Sequence, residues 1–188
     1  MRILIMTVLP ERQEYYEYLK EKLPHAEFIL DEKKQAFHTF MKALEQAGND
    51  AILLMEDDAL LTVDFENKVK AVIRERPEKV IHFFSRRKKD IEIGARLEPG
   101  GAFSSTLCLY MPAQFAKALR EYAVGWYEEN KEEHPTGTDT VIASFLSYNK
   151  MSYYNHVPNL VQHRIGKSQI QARRARVRVS ETFKDLWE

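Results

Sequence analysis

The 188 residues contain a single cysteine, Cys108. One thiol excludes an intrachain disulfide and a cysteine-rich zinc site. Set within the apolar run Thr106-Leu107-Cys108-Leu109-Tyr110, it fits a reducing, cytoplasmic setting. Net charge is also lacking, because 28 lysines and arginines balance 28 aspartates and glutamates. No overall field therefore draws the chain to nucleic acid or to a membrane, and any such attraction must be local. No apolar run approaches the ~20 residues of a membrane span, so a soluble protein is expected. The apolar N-terminal residues 3–9 pass straight into Glu11-Arg12-Gln13-Glu14 with no small-residue cleavage site, so they read as a first strand rather than a leader. Repeats, low-complexity tracts and Gly/Ser linkers are absent as well, which points to one compact body. What the chain does have is 44% apolar residues, enough for a continuous core and too many for a disordered chain.

The balanced charge hides an asymmetry. Residues 1–163 carry 21 basic and 25 acidic side chains, whereas residues 164–188 carry 7 and 3. The chain thus reads as a body, residues 1–170, and a basic tail, residues 171–188. Within the body, apolar periodicity alternates between strand and helix. Residues 2–9 predict a strand, and Tyr15, Tyr18, Leu19 and Leu23 a helix; residues 27–30 predict a strand, and Phe37, Phe40, Met41, Leu44 and Ala47 a helix ended by Gly48. Residues 51–55 form a continuous apolar run that stops abruptly at Glu56-Asp57-Asp58, the pattern of a strand buried on both faces emerging at its carboxyl end. Phe65, Val69, Val72 and Ile73 predict a helix, and residues 79–84 a strand. Residues 85–101 read as a long loop with a short strand at 91–93, followed by a strand over 103–110, a helix after Pro112, a helix over 139–148 and a strand over 151–157. This order predicts an α/β fold, a three-layer α/β/α sandwich with a mainly parallel sheet. Such sheets bind ligands at the carboxyl ends of their strands.

The acidic triplet Glu56-Asp57-Asp58 ends the central strand. Three adjacent carboxylates repel one another unless a cation or hydrogen-bond donors compensate. A magnesium or manganese ion would do so, since both favour hard oxygen ligands; equally, Asp57 and Asp58 could cap a loop with Glu56 left in solvent. Downstream, Pro158-Asn159-Leu160-Val161-Gln162-His163-Arg164-Ile165-Gly166-Lys167-Ser168 presents a histidine and then Gly-Lys-Ser. That segment is no P-loop, because the upstream glycine-rich stretch is missing.

The strand ending in Glu56-Asp57-Asp58, followed in this order by the Pro-Asn-Leu-Val-Gln-His segment, resembles the GT-A fold glycosyltransferases that use nucleoside-diphosphate sugars. It is most similar to small bacterial and phage members related to glycosyltransferase family 25. The resemblance spans residues 2–170. It implies that Asp58 and His163 ligate Mn2+ or Mg2+, that Glu56 faces the ribose or the metal, and that Asp57 is structural. Lys167 and Ser168 would lie near the diphosphate, Thr7 and Arg12 against base and ribose, and Asp31 at the base. Asp31 reads equally well as a loop residue of a charged run. Asp139, opening a helix after Thr136-Gly137-Thr138, matches an acid that faces the acceptor and would serve as catalytic base if the sugar is inverted. An aspartate in a first helical turn also simply offsets the helix dipole.

The expected activity is metal-dependent transfer of a sugar to a hydroxyl acceptor in glycan synthesis. A metal-dependent nucleotidyl or phosphoryl transferase is a second reading. A nucleic-acid-binding module built on the tail arginines 173, 174, 176 and 178 is a third. Those arginines, and the run Arg86-Arg87-Lys88-Lys89, read as solvated surface or as contacts to an anionic ligand or membrane surface. Trp126, Trp187, Tyr153 and Tyr154 read as core or as platforms for sugar rings.

Overall fold

The structure, a computed structural model, describes residues 1–87, 90, 94–165 and 178–187. Its elements are β1 (Arg2–Thr7), α1 (Gln13–Lys22), β2 (Glu27–Leu30), α2 (Ala36–Ala47), β3 (Ile52–Glu56), β4 (Ala59–Leu61), α3 (Phe65–Glu75), β5 (Ile81–His82), β6 (Gly94–Pro99), β7 (Cys108–Met111), α4 (Phe115–Asn130), α5 (Thr138–Tyr148), β8 (Ser152–Val157) and β9 (Val161–His163). Among the described residues no helix is long and apolar enough to cross a membrane.

Seven strands form one sheet in the order β2-β1-β3-β7-β5-β8-β6. Strand β1 runs parallel to β2 and β3, and β5 parallel to β8; β7 is antiparallel to both β3 and β5, and β6 antiparallel to β8. Strands β1, β2, β3, β5 and β8 therefore point one way. The α/β architecture agrees with the expectation, with β7 inserted against the grain. Side chains alternate between the faces: Leu4, Ile52 and Leu54 join one core cluster, and Ile3, Ile5, Leu53 and Met55 the other. This two-sided burial is why β1 and β3 are apolar at nearly every position. Helices α2, α4 and α5 supply Phe40, Leu119 and Ile142 to the first cluster, and α1 and α3 supply Leu19 and Val69 to the second. The result is three layers, helices on both faces of the sheet. Helix α2 ends at Gly48, whose φ of +55° favours a residue without Cβ.

Three expectations change. Residues 85–101 are not all loop, because β6 pairs with β8 from Gly94↔Val157 to Pro99↔Ser152; the strand expected at 91–93 lies outside the described residues. The strand expected over 103–110 begins only at Cys108, leaving 103–107 outside any strand. The third change is a ribbon of β4 and β9, paired at Ala59↔His163, Leu60↔Gln162 and Leu61↔Val161. Two strands of three residues are too short to show a period in sequence. Tyr153 is core, whereas Tyr154 lies beneath the Arg76 guanidinium, 4.7 Å from its ring centre. Trp126 and Trp187 pack against the two clusters.

The loop that enters β7 is held by a close approach. A Cβ on Gly100 would lie 2.4 Å from Leu146 Cβ and 2.8 Å from Met151 O, whereas one on Gly101 would meet only Ser147 Oγ, at 3.1 Å. Gly100→Ala is therefore expected to lower stability by about 1–3 kcal/mol, as overpacking does. Gly101→Ala should change it far less. Equal urea midpoints for the two variants would contradict this packing.

Candidate functional site

Thr7 closes β1, Glu56 closes β3 and Ser85 follows β5, so the carboxyl ends of three like-directed strands meet at one edge of the sheet. The turn between β3 and β4 carries Asp57 and Asp58, 2% and 3% exposed. Burying charge this deeply requires partners, and Asp57 finds them on β1 and the loop after it. Its Oδ2 accepts from Thr7 Oγ1 at 2.8 Å and from Val8 N at 3.0 Å, and its Oδ1 accepts from the Arg12 guanidinium. Burial pushes the Asp57 carboxyl above its ordinary range, and Arg12 pulls the other way. Arg12 also reaches Asp58, Nη2 to Oδ2 at 3.2 Å. Burial opposes its charge, but Asp58 and Asp57 outweigh that and raise its pKa.

Asp58 is held from the opposite side by the ribbon. Its carbonyl accepts from Arg164 N at 2.8 Å, and its Oδ2 lies 3.2 Å from His163 Nε2 and 4.0 Å from Arg178 Nη2. His163 Nδ1 lies 2.7 Å from the Arg164 carbonyl, which only accepts, so Nδ1 carries the proton. Burial lowers the His163 pKa, although Asp58 pulls it up. Neither Nε2 nor Asp58 Oδ1 has a hydrogen-bond donor among the described residues, and both are buried. Glu56, Asp58 and His163 each offer a ligating atom within 4.8 Å of the others. These are the residues of the described chain that could hold a metal ion between them.

A cavity of about 310 Å³ opens beside this cluster, lined by Glu56, Ser104, Thr106, Asp139 and Arg178 among others. Thr106 Oγ1 donates to Glu56 Oε1 and lies 3.4 Å from Thr138 Oγ1 at the start of α5. The hydroxyls tie the acid of β3 to the helix that carries Asp139. Asp139 Oδ1 accepts from Thr140 N at 3.0 Å, and Asp139 also lines the cavity. The helix-end role and an acceptor-facing role are therefore compatible in this position.

The expected site residues separate into three groups. Glu56, Asp58 and His163 come together, with Asp139 on the same cavity. Thr7 and Arg12 are close by, but both are engaged by Asp57 rather than open to a base or ribose. Asp31 is 5% exposed; its N–H donates to Thr7 O and its Oδ1 accepts from Gln35 N at 2.9 Å, so it shapes the entry to α2. Lys167 and Ser168 lie outside the described residues, as do Arg173, Arg174 and Arg176. Arg178, read in sequence only as one arginine of a basic tail, reaches the cluster, and Thr106 was missed. The signal for Thr106 was the Ser104-Ser105-Thr106 hydroxyl run leading into β7. For Arg178 there was none, because 120 residues separate it from Asp58.

No protein-family model matches the chain, and a search of curated proteins returns no match. Among solved structures, it is similar to the crystal structure of A197 from STIV, with a TM-score of 0.53 and 16% identity over 88% of this chain and 87% of that one. A likeness of that extent at such low identity is one of fold: this arrangement of strands and helices over almost the whole chain is shared with A197.

Proposed function

We propose that this protein is a metal-dependent glycosyltransferase of the GT-A type, moving a sugar from a nucleoside-diphosphate donor to a hydroxyl acceptor. The observation that carries the reading is the meeting of Glu56, Asp58 and His163 beside a cavity that also holds Asp139. His163 comes from more than a hundred residues away and is the histidine that the family resemblance singles out. The three-layer fold, with the acidic turn at the carboxyl end of β3, supports the same reading.

The donor set fits a small divalent cation. Two carboxylates and one neutral imidazole suit manganese, and magnesium less well because of the nitrogen. Asp58 Oδ1 and His163 Nε2, which have no hydrogen-bond partner among the described residues, are atoms that such an ion would satisfy. When bound, the ion neutralises charge developing on the leaving diphosphate. The chain's own groups do the rest. Asp57 and Arg12 hold the turn rigid, so that Asp58 keeps its place without reorganising. Asp139 accepts the proton of the acceptor hydroxyl if the sugar is inverted. Ser104, Ser105 and Thr138 offer hydroxyls to a polyhydroxylated substrate across the cavity.

The test is a thermal-shift screen of UDP, GDP, CDP, ADP and dTDP sugars, each with manganese, magnesium or chelator. The expected result is stabilisation by one nucleotide family only when the metal is also present. No shift with any donor would remove the reading. Donor cleavage that transfers a nucleotidyl or phosphoryl group in place of the sugar would replace it with nucleotidyl or phosphoryl transfer.

A further inference from the structure

The ribbon that sets His163 beside Asp58 is short. Strands β4 and β9 have three residues each, His163 stands at the last pair of their ladder, Ala59↔His163, and Asp58 in the turn before it. A two-stranded ribbon is marginal on its own, so the groups that fasten its end to the body decide how firmly these two side chains are placed. That end continues into Arg164. Its N–H donates to Asp58 O at 2.8 Å, and its carbonyl lies 2.7 Å from His163 Nδ1. The backbone of one residue therefore holds both the main chain of Asp58 and the ring of His163.

The Arg164 side chain turns to α1. Its guanidinium carbon lies 4.6 Å from the ring centre of Tyr15 and 4.6 Å from that of Tyr18, and its Nε is buried with no hydrogen-bond partner among the described residues. A planar guanidinium stacks on aromatic faces in a way an ammonium group cannot. The rings are themselves fixed. Tyr18 Oη accepts from Leu61 N at 3.1 Å and donates to Trp187 O at 3.0 Å, which ties α1 to β4 and to the C-terminal segment. Tyr15 also meets Arg12, whose guanidinium carbon is 5.7 Å from its ring centre and whose Nη2 is 3.2 Å from Asp58 Oδ2. Tyr15 thus stands beside both arginines that hold Asp58, one at its carboxylate and one at its carbonyl.

Resting on the metal reading above, we propose that Arg164 is a positioning residue, clamped on Tyr15 and Tyr18, that aims His163 Nε2 and Asp58 at a shared divalent cation. The hydrogen bond at Nδ1 orients the ring and leaves Nε2 for the ion. A guanidinium has no acceptor to offer a metal, and its charge opposes a cation nearby. Its contribution to the site is placement alone.

That opposition gives the test its sign. Arg164→Leu removes a positive charge, which by itself would tighten Mn2+ binding. Loss of the clamp is expected to weaken it by about 10- to 100-fold, the range for groups that orient a metal ligand. Binding of Mn2+ alone is measured by electron paramagnetic resonance, and spin-echo modulation of the bound ion reads its coupling to the imidazole nitrogen of His163. Wild type should show that coupling, and Arg164→Leu should lose most of it. A variant that merely loosened the fold would melt earlier in chelator and keep the coupling of the ions it binds. Tyr15→Leu, which changes no charge, should weaken Mn2+ binding in the same direction, whereas Tyr15→Phe should keep wild-type values because the clamp uses the ring face. Equal or tighter Mn2+ binding in Arg164→Leu, or nitrogen coupling unchanged in it, would overturn the proposal and leave the metal reading in place. Equal binding by wild type and Tyr15→Leu would do the same. Mn2+ bound by wild type without nitrogen coupling would overturn it as well, by removing His163 from the ligands. A wild type that binds no Mn2+ would overturn both.

Discussion

Asp58→Asn is expected to abolish the response of this protein to manganese. Wild type at a Mn2+ concentration 100 times its dissociation constant should gain about 2.7 kcal/mol from binding. For a chain of this size that corresponds to a rise in melting temperature of about 5–10 °C. Asp58 offers a ligating atom within 4.8 Å of those of Glu56 and His163 and has a buried oxygen with no donor among the described residues. The amide keeps the shape, but places a neutral group, with an NH2 in one orientation, where an acceptor is needed. Affinity should fall on the order of 100-fold or more, as removal of a direct ligand exceeds the 10–100-fold typical of outer-shell changes. Melting in chelator should change little, because Arg12 retains Asp57. A manganese-dependent shift in Asp58→Asn equal to that of wild type would remove Asp58 from the metal site.

The second large effect is on stability. Arg12→Met removes the guanidinium that spans Asp57 and Asp58, two carboxylates nearly sealed from water. Breaking a buried pair from one side leaves uncompensated charge, and the expected loss is about 3–5 kcal/mol in urea unfolding. A methionine of similar length keeps the packing, so the loss reports charge rather than volume. Adding Asp57→Asn to Arg12→Met should recover part of it, because the orphaned charge is then gone. Arg12→Lys should fall between, since a point charge cannot reach both carboxylates in the forked geometry of arginine. A loss below 1 kcal/mol in Arg12→Met would mean that the Asp57 hydrogen bonds to Thr7 and Val8 suffice alone.

These two expectations separate the acids that look alike in sequence. In Glu56-Asp57-Asp58 each residue is one carboxylate beside another, and repulsion among them calls for a cation without saying which kind. The structure supplies one from within: Arg12 pairs with Asp57 and Asp58. Asp57 accepts from Thr7, Val8 N and Arg12, and two of these, Thr7 and Arg12, are the residues that the resemblance placed against a nucleotide. Alternation along β1 and β3, and the abrupt end of the apolar run at residue 55, were readable because burial on both faces leaves a continuous apolar signal. The ribbon of β4 and β9 was not, because its stability comes from a pairing more than a hundred residues long in sequence. Strand direction left no trace either: β7 reads like any buried strand, yet runs opposite to β3 and β5.

By itself, then, the sequence determined the alternation of strands and helices, the layered α/β class and the position of an acidic turn at a strand end, all of which follow from local periodicity and the cost of burying charge. Only the tertiary structure decided which charges face which. The ribbon register set His163 beside Asp58, the C-terminal segment delivered Arg178 to the same carboxylate, and α5 set Asp139 on the cavity. Those contacts join residues far apart in the chain, and electrostatic partnership depends on distance in space, which no local pattern encodes.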